Sequence, residues 1–503
     1  MSGTPHGNAQ WADQASLKNR SFQIGEVASD AFLLGKWVKW SSNQPHPLHK
    51  ALYNGEIYEE KNESNCFLGI KGDGHILTVA PTRSGKGVGL VIPNLLHYNQ
   101  SVIVIDPKGE NYQKTRAYRL GCLEQHCWRF DPFSSQNSSQ GIAILKRAKE
   151  MFDTKRDDLL AEVSRIAEAI VIRKKDEKDP FFNNAAQIMI KDAILLTLYE
   201  FEESEIPPLS NIRSFFVDEK KLDDLSDELE QKIALSEIPN EKHLLPNRAL
   251  RELKSYMGNR DVLATVIMQT EFLEDENVAK IVDCRECCEI FDPPMLNEGK
   301  NSIYLIIPPQ HLNRQSRFLR LFITLCMDTI TRRSAYYDDQ NNYNNVLFIL
   351  DEIAQLGSLD CIQKAVALAA GYKMTLWMFW QDLAQLKGLY PEDWMSFLSN
   401  AKIQQFFGCN DIETAKYIAE RCGPRTQESY SANVQHNSRG LLRSEISTGN
   451  TQTLIAGELL RPSEILRADN SIIFNFVQGN FPFLCKKIKY YEDEILNERS
   501  KYQ

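Results

Sequence analysis

No apolar run in this 503-residue sequence is long enough to cross a bilayer. The longest, such as "TLWMFW" and "FITLCM", fall far short of the roughly 20 residues a spanning helix needs. The opening residues do not follow the charged, apolar and small-residue order of a signal peptide. Positive charge is not in excess either. The formal net charge is −9, so any contact with nucleic acid has to come from local basic patches rather than a global field. A cysteine framework is missing as well: the eleven cysteines are scattered and odd in number, which fits reduced thiols in a cytosolic setting. "CRECC" (Cys284, Cys287, Cys288) holds a single CxxC, and Cys122, His126 and Cys127 form a loose cluster. Neither supplies the four ligands zinc requires, and both read as structural cysteine. There is no internal repeat.

What is present reads as a globular α/β chain. Hydrophobic residues make up 43% and charged residues 25%, a soluble balance rather than a disordered one. The length predicts two or three domains. The segment up to about Asn65 mixes polar turns with short apolar pieces. "GDGHILTVAPTRSGKG" then reads as turn, strand (His75 to Val79), glycine loop and helix start, and "SVIVID" (Ser101 to Asp106) follows after a helix-length gap. Continuous apolar strands separated by helices predict a parallel sheet covered on both faces. "WRFDPF" offers a third strand.

Between residues 141 and 292 the periodicity turns helical, as in "LLAEVSRIAEAIVI" and "NNAAQIMIKDAILLTLYEF". Within it, Val217 to Glu241 is dominated by acidic residues, either a solvated helix face or a protein-docking surface. Strands return after residue 300 in "SIYLIIP", "NVLFILDE", "MTLWMFWQ", "IQQFFG" and "SIIFNFV". A Ser/Asn/Thr-rich stretch from Thr426 to Thr453 reads as a loop. The expected division is therefore a nucleotide-binding domain formed by 1–140 and 293–503, with an all-α insertion at 141–292.

Three constellations carry chemistry. In "APTRSGKG" (Ala80, Pro81, Thr82, Arg83, Ser84, Gly85, Lys86, Gly87) the core of a phosphate loop survives. Backbone N–H groups at a helix start converge on an anion, glycine permits the turn, and Lys86 reaches the β- and γ-phosphates. Ala80 stands where the general pattern has its first glycine, which demands only a backbone without positive φ there. Gly87 removes the hydroxyl that normally touches Mg²⁺, a role Thr82, Ser84 or water could take over. A structural glycine turn is the alternative. In "VLFILDEIAQLG" an apolar strand delivers Asp351 to a strand C-terminus, where it would hold Mg²⁺ through water, with Glu352 beside it to orient the attacking water. Alone this is an acidic turn; with the phosphate loop upstream, the two are expected to meet at one sheet edge. "MTLWMFWQ" ends in Gln381, suited to sensing a γ-phosphate or, alternatively, to capping a helix.

Taken in order, "APTRSGKGVGLVIPNLL", "VIVIDPKGENY", "DPFFNNAA", "IYLIIPPQHL", "LFILDEIAQLG", "QDLAQL" and "NDIETAKYIAERCG" resemble the motifs of the type IV coupling proteins, the TraG/TraD-like ATPases of conjugation and type IV secretion. The resemblance implies a RecA-like fold interrupted by an all-α domain, ATP and Mg²⁺ at the loop, and Lys86, Asp351, Glu352 and Gln381 at the family's motif positions. It makes Ala80 and Gly87 family form, because many such relatives read A-P-T-R-x-G-K-G. It also implies a homo-hexamer in which a basic residue of the neighbouring subunit completes the site; Lys373, Arg421 and Arg425 are the candidates. "HGNAQWA" (His6 to Ala12) resembles a segment that follows the N-terminal membrane helices of relatives, so attachment to the cytoplasmic face of the bacterial inner membrane would need such helices or a partner.

The function this implies is an ATPase that receives substrates, relaxase-bound single-stranded DNA or effector proteins, and feeds them to the components of a type IV secretion channel. DNA handling would need basic residues lining the hexamer channel, and the acidic 217–241 section leans toward protein recruitment. The competing reading is a nucleotide-binding adaptor platform with little or no hydrolysis, against which Glu352 and Gln381 argue.

Overall fold

The structure is a computed structural model. It describes residues 8–18, 21–37, 66–72, 74–134, 140–173, 179–235, 241–285, 287–312, 314–336, 345–368, 371–438 and 444–503. His6 and Gly7 of the "HGNAQWA" segment lie outside these residues. Along the chain the strands are β1 (Phe22–Gly25), β2 (Phe32–Lys36), β3 (Phe67–Ile70), β4 (His75–Val79), β5 (Ser101–Ile105), β6 (His126–Phe130), β7 (Gln140–Ile142) and β8 (Glu289–Phe291). They continue with β9 (Asn301–Leu305), β10 (Val346–Leu350), β11 (Met374–Trp380), β12 (Ala401–Phe406), β13 (Pro424–Ser438), β14 (Ser444–Glu458), β15 (Ile472–Val477) and β16 (Phe483–Lys486). The chain divides into two compact units, residues 1–98 with 377–501 and residues 99–376 with 502–503.

In the first unit the sheet order is β1-β3-β2-β16-β15-β12-β4-β11. β4 lies between β12 and β11 and is parallel to both, while the β1-to-β15 side and the β12–β15 pair are antiparallel. β4 and β11 are buried along their whole length, as continuous Val/Ile/Leu and aromatic runs require of central parallel strands. Register is fixed by a buried polar chain. The Trp377 indole N–H donates to Thr78 Oγ1 at 2.8 Å, Thr78 donates to Gln405 Oε1 at 3.2 Å, and Gln405 Nε2 donates to Asn475 Oδ1 at 2.9 Å. A one-residue slip would turn these side chains out of register and leave polar groups unpaired in the core. The helix after the glycine loop is tied to β2 by Asn94, which is fully buried. Its side-chain oxygen accepts from Leu33 N–H at 2.8 Å, and its amide donates to the carbonyls of Leu33 (3.0 Å) and Leu90 (2.9 Å).

The second unit holds a four-stranded sheet in the order β10-β5-β9-β6, parallel throughout, with Leu350 level with Ile105 and Ile105 level with Leu305. Helix Glu110–Gly121 follows β5, and its Arg119 is fully buried against the sheet, donating to Ser302 Oγ, Gln125 Oε1 and Gln100 O. Between Lys146 and Val282 the described elements are all helices, bracketed by the short parallel pair β7–β8. In the acidic section, helix Glu219–Leu235 buries Leu222, Leu225 and Leu229 while Asp223, Asp224, Asp227, Glu228 and Glu230 are exposed. Glu237 lies outside the described residues. No helix among the described residues is long and apolar enough to cross a membrane.

One expectation changes. The described residues of the stretch 426–453 are not a loop: β13 and β14 pair antiparallel over fifteen residues each, from Pro424 opposite Glu458 to Ser438 opposite Ser444. A ribbon held by its backbone ladder needs no apolar stripe, so low hydrophobicity concealed it, although the β-branched Thr recurs there at 426, 448, 451 and 453. The N-terminal segment supplies β1 and β2, too short to stand out by alternation.

Asn94 yields the first expectation. Asn94→Ala strands the Leu33 N–H and carbonyl inside the core, so roughly 2–4 kcal/mol of stability should be lost. Denaturant titration should show a lower unfolding midpoint than wild type; an unchanged midpoint would mean that water replaces the amide.

Candidate nucleotide-binding site

The glycine loop begins where β4 ends. Ala80 N–H donates to the Trp380 carbonyl at 2.8 Å, so the tips of β4 and β11 finish level and Gln381 follows beside the start of the loop. Ser84 N–H then donates to Pro81 O at 3.0 Å, closing a tight turn. Positive φ occurs at Arg83 (61°) and Gly85 (81°), and Ala80 is not among the positive-φ residues. The strain thus falls on residues 83 and 85, and alanine is compatible with position 80. Lys86 has helical dihedrals (φ −54°, ψ −45°), and Gly87–Val91 winds as a wide π-type turn in which Ile92 N–H reaches Gly87 O. Pro93 explains the widening: it has no N–H to offer Gly89 O, the partner of an ordinary α-turn.

Within the loop Thr82 and Arg83 are exposed, Pro81, Gly85, Lys86 and Gly87 half-buried, and Ala80 and Ser84 buried. Ser84 Oγ has no hydrogen-bond partner. A buried hydroxyl without a partner costs free energy unless something else meets it. A side chain at Gly87 would meet nothing within 4 Å, so that glycine is not required by crowding. Gln381 N–H donates to Gln385 Oε1 at 3.1 Å, and Asp382 caps the following helix through Gln385 N–H at 2.7 Å. The capping alternative considered for Gln381 is therefore filled by Asp382.

The acidic pair sits in the second unit at the tip of β10. Asp351 accepts from Glu352 N–H at 3.0 Å, and Glu352 accepts from Gln355 Nε2 at 3.4 Å. Glu352 adopts φ 56°, ψ 36°, a left-handed conformation that a glutamate occupies at a cost of about 1 kcal/mol or more. Such strain at a strand tip sets the carboxylate apart from the direction a helical or extended residue would take.

A third carboxylate joins it. Asp106 ends β5, the strand beside β10, and is 2% exposed. It accepts from Tyr112 N–H at 2.9 Å and Asn111 Nδ2 at 3.3 Å. Burial pushes its carboxyl up to about 6 against those donors, and the charge of Asp351 adds to the rise. Sequence reasoning quoted "VIVID" without giving Asp106 a role. The signal was the same as for Asp351, an apolar strand running into an aspartate. The candidate trans-acting cations are placed as follows: Lys373 is exposed with φ 50°, Arg421 stacks 5.4 Å from the Phe476 ring, and Arg425 is exposed and bridges to Asn8.

Comparison with known proteins places these motifs in context. The type IV secretory system conjugative DNA transfer family matches residues 11–503. Among curated proteins, VirD4 of Rhizobium radiobacter is 27% identical over 429 residues, covering 84% of this chain and 58% of that protein. The conjugal transfer protein TraG of Escherichia coli is 25% identical over 517 residues, covering 98% of this chain and 78% of that one. The chain thus spans less than two thirds of the length of its VirD4 relative. Among solved structures, the plasmid coupling protein TrwB in complex with ADPNP gives a TM-score of 0.57 at 13% identity, covering 97% of this chain and 95% of that one. TrwB in complex with ADP and Mg²⁺ gives 0.54 at 14% identity over 82% and 84%. At these identities the likeness is one of fold, an α/β fold built on a mostly parallel sheet like that of TrwB. With a family match that runs from residue 11 to the last residue, this chain belongs to the type IV secretory system conjugative DNA transfer family, that of the type IV coupling proteins.

Proposed function

We propose that this chain is the ATP-hydrolysing part of a coupling protein that recruits substrates and delivers them to a type IV secretion channel. The observation that carries the reading is the loop 80–87, folded as a turn that opens into a helix, beside a strand tip ending in Gln381. TrwB, which shares the fold, takes ADPNP and, in another structure, ADP with Mg²⁺. We extend that ligand chemistry here.

In this reading the N–H groups of the loop receive the phosphates and the Lys86 ammonium reaches the β- and γ-phosphates. Asp351 would hold Mg²⁺ through water. Bound there, Mg²⁺ would offset charge on the transferred phosphoryl group. Glu352 orients the attacking water, and Gln381 reads the presence of the γ-phosphate at the loop's edge. The domain division follows from the same reading: 1–140 with 293–503 form the nucleotide-binding part, and 141–292 the recognition insertion. Assembly as a homo-hexamer, relaxase-bound single-stranded DNA or effector proteins as cargo, and residence at the cytoplasmic face of the inner membrane complete the proposal.

Three variants test it. Lys86→Ala should weaken ATP binding at least about tenfold, some 1.4 kcal/mol, with the fold unchanged by circular dichroism; retained affinity would mean the loop does not bind phosphate. Glu352→Gln should keep nucleotide binding while turnover falls about 10²–10⁴-fold, measured as steady-state phosphate release with and without single-stranded DNA. No turnover by wild type under any assembling condition would favour the adaptor platform instead. Gly87→Ser adds a hydroxyl into open space, so its unfolding free energy should match wild type to within about 0.5 kcal/mol and ATP binding should persist. Loss of binding would show that position 87 needs glycine.

A further inference from the structure

A phosphate loop works only if its N–H groups face the anion and its carbonyls face away. At the Ser84–Gly85 peptide the covalent geometry does not enforce this. Gly85 has φ 81° and lacks a Cβ, so rotating that peptide by half a turn meets little resistance at residue 85. The rotated form would point the Ser84 carbonyl at the phosphate and take the Gly85 N–H away.

One side chain, far along the sequence, opposes that rotation. Lys487, just beyond β16, donates from Nζ to the Ser84 carbonyl at 2.5 Å. Its own placement is fixed at several points. Lys487 N–H donates to Ser471 O at 2.9 Å, and its Nζ stands 4.6 Å from the centroid of the Phe407 ring. Ile488, fully buried, donates its N–H to Gly89 O at 3.4 Å. That is the carbonyl Pro93 leaves without a helical donor. The Lys487 stem also packs on Gly89, where an added Cβ would come within 3.4 Å of it. The segment 487–488 therefore fits the loop and its helix through a backbone bond, a side-chain bond and a close contact. Burial lowers the ammonium to about 8, partly countered by Asp469, so the charge is held in place against a desolvation cost. An ammonium on the Ser84 carbonyl also polarises the shared peptide, making the Gly85 N–H a stronger donor to an anion.

We propose that Lys487 is a positioning residue of the nucleotide site, locking the Ser84–Gly85 peptide with its N–H toward the phosphates. The proposal rests on the nucleotide-site reading above. It is separable from it, because Lys487 itself touches the outer face of the loop.

The test is calorimetric titration of the full chain with Mg-ATP, with pyrophosphate as a second probe, for wild type, Lys86→Ala, Lys487→Met and Lys487→Arg. Lys487→Met should keep the wild-type circular dichroism spectrum and weaken ATP by roughly tenfold to a hundredfold. Pyrophosphate should weaken by a similar factor, since the lost contact serves the phosphates alone. Lys487→Arg, which keeps a charged donor, should recover most of the loss. If Lys487→Met fails to fold, Lys487→Gln keeps a donor without charge and should weaken both ligands about threefold to tenfold. A methionine or glutamine variant that binds ATP like wild type, while Lys86→Ala does not, overturns this inference alone. So does a loss for ATP that spares pyrophosphate, which would place the damage away from the loop. Wild-type protein that binds neither probe overturns the nucleotide-site reading together with it.

Discussion

Every peptide between Pro81 and Gly89 has two polar ends, and a site for anions can tolerate only one of them facing inward. That constraint organises the first unit around the loop. Two loop carbonyls take bonds within the loop, Pro81 O from Ser84 N–H and Gly85 O from Gly89 N–H. Two more are reached from the C-terminal part of the chain, Ser84 O from Lys487 and Gly89 O from Ile488. Four carbonyls of this segment are thereby occupied, which in the proposed nucleotide site keeps them off the phosphates. The neighbouring strand tip is tied to the same point by Ala80 N–H and Trp380 O. A shift of β11 would move Gln381 and the loop together.

The second unit applies a related constraint to carboxylates. Asp106 and Asp351 end adjacent parallel strands, with Ile105 and Leu350 in register just before them. Burial disfavours the ionised form of Asp106, and the nearby charge of Asp351 adds to that effect. Amide donors at residues 111 and 112 partly relieve it. Glu352, in its left-handed conformation, is turned out of the path of the strand while Gln355 holds its carboxylate. Two carboxylates thus end adjacent parallel strands, with backbone strain at the residue after one of them, while among the described residues no group of three or more His, Cys, Asp and Glu is placed to hold a metal ion.

How much of this was legible depended on how each feature is encoded. The central strands β4, β5, β10 and β11 were readable because burial on both faces demands unbroken apolar runs, and each run ends in a residue of chemical interest. The loop was readable because its residues are contiguous. The β13–β14 ribbon was not, since a backbone ladder leaves little mark on side-chain pattern. Nor was β16, four residues long, which pairs locally with β15 but whose place beside β2 depends on pairing across more than 400 residues of chain. Lys487 was invisible for the same reason. A lysine after a short strand has no local signature, and its meaning arises only when the sheet carries it beneath Ser84. Asp106 was legible but passed over, because its strand lacked the second acid that drew attention to Asp351 and Glu352.

The two departures from the general phosphate-loop pattern now have physical content. A first glycine would be needed if position 80 carried the left-handed turn, but the positive φ values stand at Arg83 and Gly85, and Ala80 is buried with its N–H in the strand ladder. Alanine is better there than glycine, since it loses less backbone entropy on ordering. Gly87 is different: nothing crowds it, so the missing hydroxyl is a chemical difference and not a steric one. Two residues earlier in the chain than the lysine, Ser84 presents a buried hydroxyl without a partner on the same loop. The loop thus carries an oxygen near its turn and no crowding at position 87, and in the proposed site the turn is set by the positive φ of Arg83 and Gly85 and by the Lys487 bond to the Ser84 carbonyl.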